Sequence, residues 1–142
     1  MKLNQVPLSQ LNAIFKNTMM ELLDIKVIEL GEDYIKASMP VTPKVHQPMG
    51  LLHGGASAVL IESIGSVGSV LLIDTDNFAP VGIEINANHI SGVSSGVVIA
   101  TGKLVHGGRR THLWQVDLHH EETKKHICTG RLTVMIVPKK NG

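Results

Sequence analysis

Apolar residues near the start of the chain recur at helical spacing. Leu8, Leu11 and Phe15 lie three or four residues apart, so that they share one face of a helix. Pro7 comes just before them and suits a first helical turn, where its missing N–H is not needed. The pattern predicts a helix over about residues 7–21.

Two shorter segments then alternate apolar and polar residues, which is typical of strands with one buried face. They cover residues 25–30 and 34–40 and are separated by the turn-forming sequence Gly31-Glu32-Asp33. The second segment should carry apolar side chains on one face and polar side chains on the other, namely Ile35, Ala37 and Met39 against Lys36 and Ser38.

Residues 54–73 form the longest apolar stretch, GGASAVLIESIGSVGSVLLI. Apolar residues cover nearly its whole circumference, so a helix here should be buried on most sides. The stretch is too short and too rich in glycine to predict a membrane span. We therefore expect one long helix at the centre of the fold.

Four strand-like segments follow this helix, separated by turn-forming residues at about ten-residue spacing. They cover about residues 80–90, 96–106, 110–120 and 127–137. This spacing predicts an antiparallel meander. A long buried helix and a largely antiparallel sheet define an α+β domain in which the sheet wraps around the helix.

The composition fits a single domain over residues 1–142. With 43% hydrophobic residues the chain can bury a core without disulfides. Its single cysteine, Cys128, is expected to fill space in that core. A lone cysteine also indicates a protein from a reducing compartment. The first fifteen residues lack the features of a secretory signal, so we expect a cytoplasmic protein. A net charge of +1 provides no field that would direct the protein to nucleic acid or a membrane.

Glu62 lies within Leu60-Ile61-Glu62-Ser63-Ile64, on a predicted helix that has almost no polar face. An ionised carboxylate is costly in apolar surroundings unless something compensates for it. Either Glu62 reaches a polar seam or a basic partner for structural reasons, or it serves a reaction. The segment before the helix favours the second interpretation.

The loop His46-Gln47-Pro48-Met49-Gly50 leads into the helix through His53-Gly54-Gly55. The N–H groups of Gly54 and Gly55 are expected to be free donors at the positive end of the helix dipole. Because glycine lets an acyl group approach the backbone, the first turn could act as an oxyanion hole. A glycine pair at a helix start usually forms only a turn, but together with Glu62 and Gln47 it indicates a hydrolytic site.

Four segments carry a resemblance to a known family: Gln47-Pro48, His53-Gly54-Gly55-Ala56, Glu62-Ser63-Ile64-Gly65-Ser66 and Gly82-Ile83-Glu84-Ile85-Asn86-Ala87-Asn88-His89. Their joint spacing resembles that of the hotdog-fold thioesterases, and within them the branch of the 1,4-dihydroxy-2-naphthoyl-CoA, enterobactin-pathway and 4-hydroxybenzoyl-CoA thioesterases. The resemblance covers nearly the whole chain. It implies a hotdog fold and the hydrolysis of acyl-CoA thioesters with aromatic or varied acyl groups. No cofactor is implied, since coenzyme A is part of the substrate.

The resemblance also implies a role for each matching residue. Glu62 would be the nucleophile or general base, the Gly54 N–H would polarise the thioester carbonyl, and Gln47 would position the thioester or the water. His53 would orient the loop, and Ser66 would contact the acyl end. The residues that would bind the rest of the substrate, with the two arginines as phosphate partners, are Gly55, Val81, Gly82, His89, Ile90, Ser91, Gly92, His106, Gly107, Gly108, Arg109, Arg110 and Thr111.

The spacing of Gly54 and Glu62 predicts that the site is shared between subunits. Eight residues at 1.5 Å each put them roughly 12 Å apart along one helix, too far to act on one carbonyl from both sides. Two antiparallel helices related by a two-fold axis would bring Glu62 of one subunit beside Gly54 of the other. We therefore expect a homodimer, or a homotetramer built from two such dimers.

Other functional classes fit the sequence less well. Eight histidines suggest a metal site, but no Cys/His cluster has zinc-ligand spacing, so none is expected. The nucleophile elbow of serine hydrolases and the P-loop are both missing. The main alternative is a non-catalytic acyl-CoA-binding module of the same fold, which would not need the carboxylate of Glu62. A hydratase of this fold would use an Asp and His pair.

Overall fold

The computed structural model describes residues 2–139; Met1 and residues 140–142, which belong to the domain predicted from the sequence, lie outside it. The helices are α1 (Leu8–Ala13), α2 (Met19–Leu22) and α3 (Gly54–Val70), with a 3-10 turn at Pro43–Val45. The strands are β1 (Lys26–Leu30), β2 (Tyr34–Pro40), β3 (Phe78–His89), β4 (Val97–Gly107), β5 (Thr111–His120) and β6 (His126–Pro138). None of the helices in this part of the chain is long and apolar enough to cross a membrane.

The strands form one antiparallel sheet in the order β1-β2-β4-β5-β6-β3. Helix α3 lies against one face of this sheet and contacts every strand from β2 to β6. The predicted α+β architecture, with the sheet wrapped around a long central helix, is therefore confirmed.

Helix α3 approaches the sheet closely at Gly65 and Gly68, which have no side chains. A Cβ atom at Gly68 would lie 2.5 Å from the Trp114 ring, and one at Gly65 would lie 2.6 Å from Leu132. The buried Trp114 Nε1–H donates to Ser69 Oγ at 2.9 Å, which satisfies a donor that would be costly to bury alone. These contacts fix the C-terminal half of α3 on the sheet.

Strand β2 shows the predicted alternation. Ile35, Ala37 and Met39 are fully buried beneath α3, whereas the polar residues between them are half-buried on the other face. Cys128 is also fully buried, as expected, and burial raises the pKa of its thiol. Phe15 and Trp114 are the aromatic members of a hydrophobic core that is otherwise mostly aliphatic.

The helix predicted over residues 7–21 is wrong as one element. Helix α1 ends at Ala13, and Asn17 has a φ of +62°, a conformation that asparagine adopts more readily than most residues. Thr18 then starts α2, because its side chain accepts a hydrogen bond from the Met20 N–H at 3.2 Å. A turn over residues 14–17 and the N-cap Thr18 therefore interrupt the predicted helix.

The predicted meander is wrong for one of its four strands. Of these four strands, β4, β5 and β6 pair in chain order, whereas β3 pairs with β6 and forms an edge of the sheet. Turn signals show where a strand ends, but they do not show which strand it pairs with. One side of the twelve-residue strand β3 therefore has no neighbouring strand among residues 2–139.

Candidate active site

The start of α3 presents one free backbone donor instead of two. His53 is the N-cap residue, and its Nδ1 accepts a hydrogen bond from the Gly55 N–H at 2.8 Å. The expectation that the Gly55 N–H is free is therefore wrong, because the cap occupies it. Within the described residues the Gly54 N–H has no acceptor, so it remains available at the positive end of the helix dipole.

A cavity of about 310 Å³ opens at this helix start and brings several predicted residues together. Its walls include Gln47, Gly54 and the segment His89–Gly92. A Cβ atom at Gly54 would lie 2.6 Å from His89 Nε2, so the imidazole can lie over the helix start only because residue 54 is glycine. The predicted oxyanion donor and part of the predicted coenzyme A site thus share one cavity.

The loop before α3 is folded back on itself and aims Gln47 at this cavity. The Gln47 N–H donates to the Leu51 carbonyl at 2.8 Å, and the Gly50 N–H donates to the Gln47 carbonyl at 2.9 Å. Gly50 has a φ of +76°, which the tight turn requires. The Gln47 side-chain oxygen accepts from the Met49 N–H. This leaves its NH₂ group as a donor for a ligand.

Four further residues line the cavity that sequence reasoning did not assign to the site, namely Leu51, Leu52, Ser57 and Ile127. Ser57 is 1% exposed and follows Gly54 by three positions, so both lie on one face of the helix. Helical spacing from Gly54 could have identified it. Ile127 could not have been found in this way, because it reaches the cavity from the distant strand β6.

Glu62 lies elsewhere on α3, on a stripe that is less buried than the sequence suggested. This stripe is only partly buried and consists of Ala58, Val59, Glu62, Ser63, Ser66 and Val70. The Ser66 hydroxyl donates to Glu62 Oε1 at 3.2 Å. Among residues 2–139 no cationic side chain lies within ion-pair distance of this carboxylate. The carboxylate is therefore held by a neutral hydroxyl and lies against the edge strand β3 at Gly82.

The predicted catalytic residues consequently lie at two separate places on the chain. The cavity at the helix start holds Gly54 and Gln47 but is not lined by Glu62 or Ser66. Val81 is exposed on the edge strand β3, and its neighbour Gly82 lies against the Glu62 carboxylate. The predicted catalytic residues are not assembled within a single chain.

The second predicted coenzyme A segment, His106–Thr111, lies far from the first. Arg109, Arg110 and Thr111 border a cavity of about 680 Å³ together with Phe78, at the start of β3. His89 lies at the end of β3, and twelve residues of strand span roughly 36 Å at about 3.3 Å per residue. The two segments therefore do not meet within one chain.

The eight histidines do not create a metal site in the part of the chain that is described. The rings of His119 and His126 stack at 4.5 Å, and His126 Nε2 lies 3.2 Å from Asp117 Oδ1. Over residues 2–139, no group of three or more His, Cys, Asp or Glu side chains is arranged to hold a metal ion.

Several known proteins are similar to this chain in sequence and fold. A model of the thioesterase superfamily matches residues 49–127. The 1,4-dihydroxy-2-naphthoyl-CoA hydrolase of Escherichia coli is 41% identical over 133 residues, which cover 94% of this chain and 96% of the relative. The proofreading thioesterase EntH of Cronobacter sakazakii is 42% identical over 130 residues, covering 92% of this chain and 93% of the relative. A crystal structure of a mutant of thioesterase PA1618 from Pseudomonas aeruginosa has a TM-score of 0.94 and 45% identity, covering 98% of this chain and 100% of that one.

The chain belongs to the thioesterase superfamily and has its hotdog fold. Its relatives are named as thioesterases and esterases, so the protein is a thioester hydrolase and not a non-catalytic binding module. The general reaction is the hydrolysis of acyl-CoA thioesters.

Proposed function

We propose that the protein hydrolyses acyl-CoA thioesters at two sites per dimer, each built from Glu62 of one subunit and Gly54 of the other. The observation that carries this proposal is the separation of the half-sites. Gly54 keeps a free N–H beside Gln47, whereas Glu62 lies outside that cavity, against the edge strand β3. A second copy of the chain can supply what each half-site lacks.

Strand β3 supports this dimer. It is a long edge strand that exposes Val81, Ile83 and Ile85 at 45%, 52% and 39%. Such an edge is a template for pairing with another strand, and proteins normally cover or charge it. The opposite edge, β1, is only five residues long and includes Lys26 and Glu29. The β3 edge is therefore the better candidate for pairing with a second subunit.

Antiparallel pairing of two β3 strands would also unite the two coenzyme A segments. A two-fold axis across β3 places the His89 end of one subunit beside the Phe78 end of the other. The segment His89–Gly92 would then lie near the partner copy's Arg109 and Arg110. Guanidinium groups bind phosphate through paired hydrogen bonds, which suits the nucleotide end of coenzyme A.

The assembled site allows two alternative routes of hydrolysis, and the same polar groups act in both. In one route the Glu62 carboxylate attacks the carbonyl carbon, the carbon–sulfur bond breaks, and water hydrolyses the resulting anhydride. In the other route the carboxylate takes a proton from the attacking water. In both, the carbonyl oxygen gains negative charge, which the Gly54 N–H and the Gln47 NH₂ group stabilise, and coenzyme A leaves as a thiolate that takes up a proton.

The acyl group in this proposal is aromatic, or varied among apolar groups. The supporting observation is an apolar groove of about 250 Å³ beside the N-cap His53. Its apolar walls come from α2, the 3-10 turn and α3, through Met19, Leu22, Leu23, Val45, Ala56 and Val59. Met19 and Leu22 are 59% and 65% exposed, so an acyl group could cover apolar surface that now faces water.

The test is a Glu62→Gln variant assayed against a panel of aryl- and alkyl-CoA thioesters. The amide is nearly isosteric but cannot act as base or nucleophile, so kcat should fall by about a hundredfold or more on every substrate. Glu122→Gln makes the same chemical change in the exposed β5–β6 turn and should leave kcat unchanged. Near-normal turnover by Glu62→Gln would disprove the catalytic assignment, and a preference for short polar acyl groups would disprove the assigned substrate class.

A further inference from the structure

Strand β3 passes directly over the Glu62 carboxylate at Gly82. A Cβ atom at position 82 would lie 2.4 Å from Glu62 Oε1, 3.2 Å from Cδ and 3.4 Å from Oε2. Distances below 3.0 Å are essentially absent between real Cβ atoms and their neighbours. The carboxylate can therefore occupy its position only because residue 82 has no side chain.

The backbone at this point is irregular. Gly82 pairs with Val134 and Glu84 pairs with Thr133, so Ile83 is an extra residue that forms a β-bulge. A bulge bends its strand locally and is common beside active sites, where it redirects the chain. Here it lies next to the glycine that touches the carboxylate, on the strand that forms the open edge of the sheet.

The two oxygens of Glu62 have different surroundings. Oε1 accepts the Ser66 hydroxyl hydrogen bond at 3.2 Å and is the oxygen that lies closest to Gly82. Within residues 2–139 no hydrogen bond reaches Oε2. Ser66 and Gly82 thus confine one oxygen and leave the other free.

We propose that Gly82 is a positioning residue that, with Ser66, confines Glu62 Oε1 and presents Oε2 to the substrate. This inference rests on the proposed role of Glu62. It gives Gly82 a function beyond the substrate contact implied by the family resemblance, since the glycine acts through the carboxylate and not through the ligand. It also assigns Ser66 to the catalytic glutamate of its own chain.

Alanine at position 82 should displace the Glu62 carboxylate and leave the fold unchanged. Gly82 does not have a positive φ, so an alanine can adopt its backbone conformation. The atom that a new methyl group meets is the end of a flexible side chain, which can rotate away at little cost. Rotation would break the hydrogen bond from the Ser66 hydroxyl to Oε1 and would move Oε2 out of alignment with the substrate carbonyl. Because reactive groups need close alignment, a displacement of about 1 Å can cost about a hundredfold in rate.

The experiment compares Gly82→Ala in two backgrounds by steady-state and single-turnover kinetics with benzoyl-CoA. In the wild-type background kcat should fall at least tenfold, with KM changed less than threefold and the melting temperature nearly unchanged. Glu62→Asp shortens the side chain by one methylene and withdraws its oxygens from position 82. Adding Gly82→Ala to Glu62→Asp should then change the single-turnover rate less than twofold, because the steric conflict is gone.

The results distinguish the positioning role of Gly82 from the catalytic role of Glu62. If Glu62→Gln is inactive and Gly82→Ala has normal kcat, the positioning role is wrong but the proposed function stands. An equal loss from Gly82→Ala in both backgrounds, or a change of oligomeric state in analytical ultracentrifugation, would show a general disturbance of β3 and would also contradict the positioning role. If Glu62→Gln remains active, both proposals fail.

Discussion

At the scale of single residues, one histidine decides which backbone donor can act. His53 caps α3 by accepting the Gly55 N–H, which leaves Gly54 as the donor at the helix start. The sequence correctly predicts that α3 starts at the two glycines, because the signals that start a helix are local. It does not predict which N–H is free, since that depends on the side-chain torsions of His53.

His112 is the residue whose burial should make the stability of the protein depend on pH. It is fully buried on β5, and neither ring nitrogen has a hydrogen-bond partner within the described residues. Burial lowers the pKa of His112 below its usual value of about 6.5. The unfolded chain then binds more protons than the folded chain just below pH 6.5, so stability should fall as pH falls through that range.

The measurement is the melting temperature between pH 7.5 and pH 5 for the wild type and for His112→Gln. The wild type should lose stability as the pH falls below about 6.5, and the variant should lose less, because glutamine does not take up a proton in this range. His119→Gln removes a half-exposed imidazole from the same strand and serves as the matched control, with the wild-type pH dependence expected. An unchanged slope in His112→Gln would show that other groups set the acid sensitivity.

At the scale of elements, the sequence predicts most helices and strands but not their order in the sheet. Apolar spacing locates α3 and β2 because burial alone determines that pattern. It fails after Ala13, where a turn that contains Asn17 at positive φ separates α1 from α2 and Thr18 caps the second helix. It also fails to place β3 beside β6, because pairing between distant strands depends on how the sheet closes over α3.

The β4–β5 turn should bind phosphate without taking part in the reaction. Its ends are joined by a hydrogen bond from the Gly108 N–H to the Thr111 carbonyl at 2.9 Å, and Arg109 and Arg110 border the adjacent cavity. Replacing both arginines with alanine should raise KM for acyl-CoA by about tenfold and weaken its dependence on salt, while kcat changes much less.

The matched control removes the same charge elsewhere. Lys16 and Lys26 are exposed in the N-terminal part of the chain, and replacing both with alanine should leave KM and its salt dependence as in the wild type. A fall in kcat with constant KM in the double-arginine variant would assign the turn to the chemistry. No change in either constant would mean that both arginines are only solvated turn residues.

At the scale of the whole molecule, the unpaired β3 edge and the separation of Gly54 from Glu62 both favour a two-fold dimer. The roughly 12 Å helix separation of Gly54 and Glu62 is already predictable from the sequence, because the helical rise is fixed. What required the structure is the exposure of Val81, Ile83 and Ile85 along one edge, since the sequence alone placed β3 within a meander. One two-fold axis across β3 would cover this edge and would bring Glu62 of one subunit beside Gly54 of the other.

Two inactive parents can test this shared site. Glu62→Ala removes the carboxylate, and Gly54→Pro removes the N–H at the first helical position, where proline is tolerated. His53 precedes it with φ −67° and ψ 131°, the extended conformation that a following proline requires. Gly54→Ala is the matched control, because it adds a Cβ atom near His89 but keeps the N–H. Losing one oxyanion donor typically costs about a hundredfold to a thousandfold in kcat, so Gly54→Pro should be far less active than Gly54→Ala.

Co-expression of differently tagged Glu62→Ala and Gly54→Pro chains should restore activity that neither homodimer has. In the mixed dimer one site collects both changes, while the other combines Glu62 from the Gly54→Pro chain with Gly54 from the Glu62→Ala chain. Two-fold symmetry therefore gives up to about half of the wild-type activity per dimer. The purified heterodimer is assayed after its tags and melting temperature confirm that it is folded and has not exchanged subunits. A folded heterodimer without activity would place Gly54 and Glu62 in the same site of one chain and would exclude the shared arrangement.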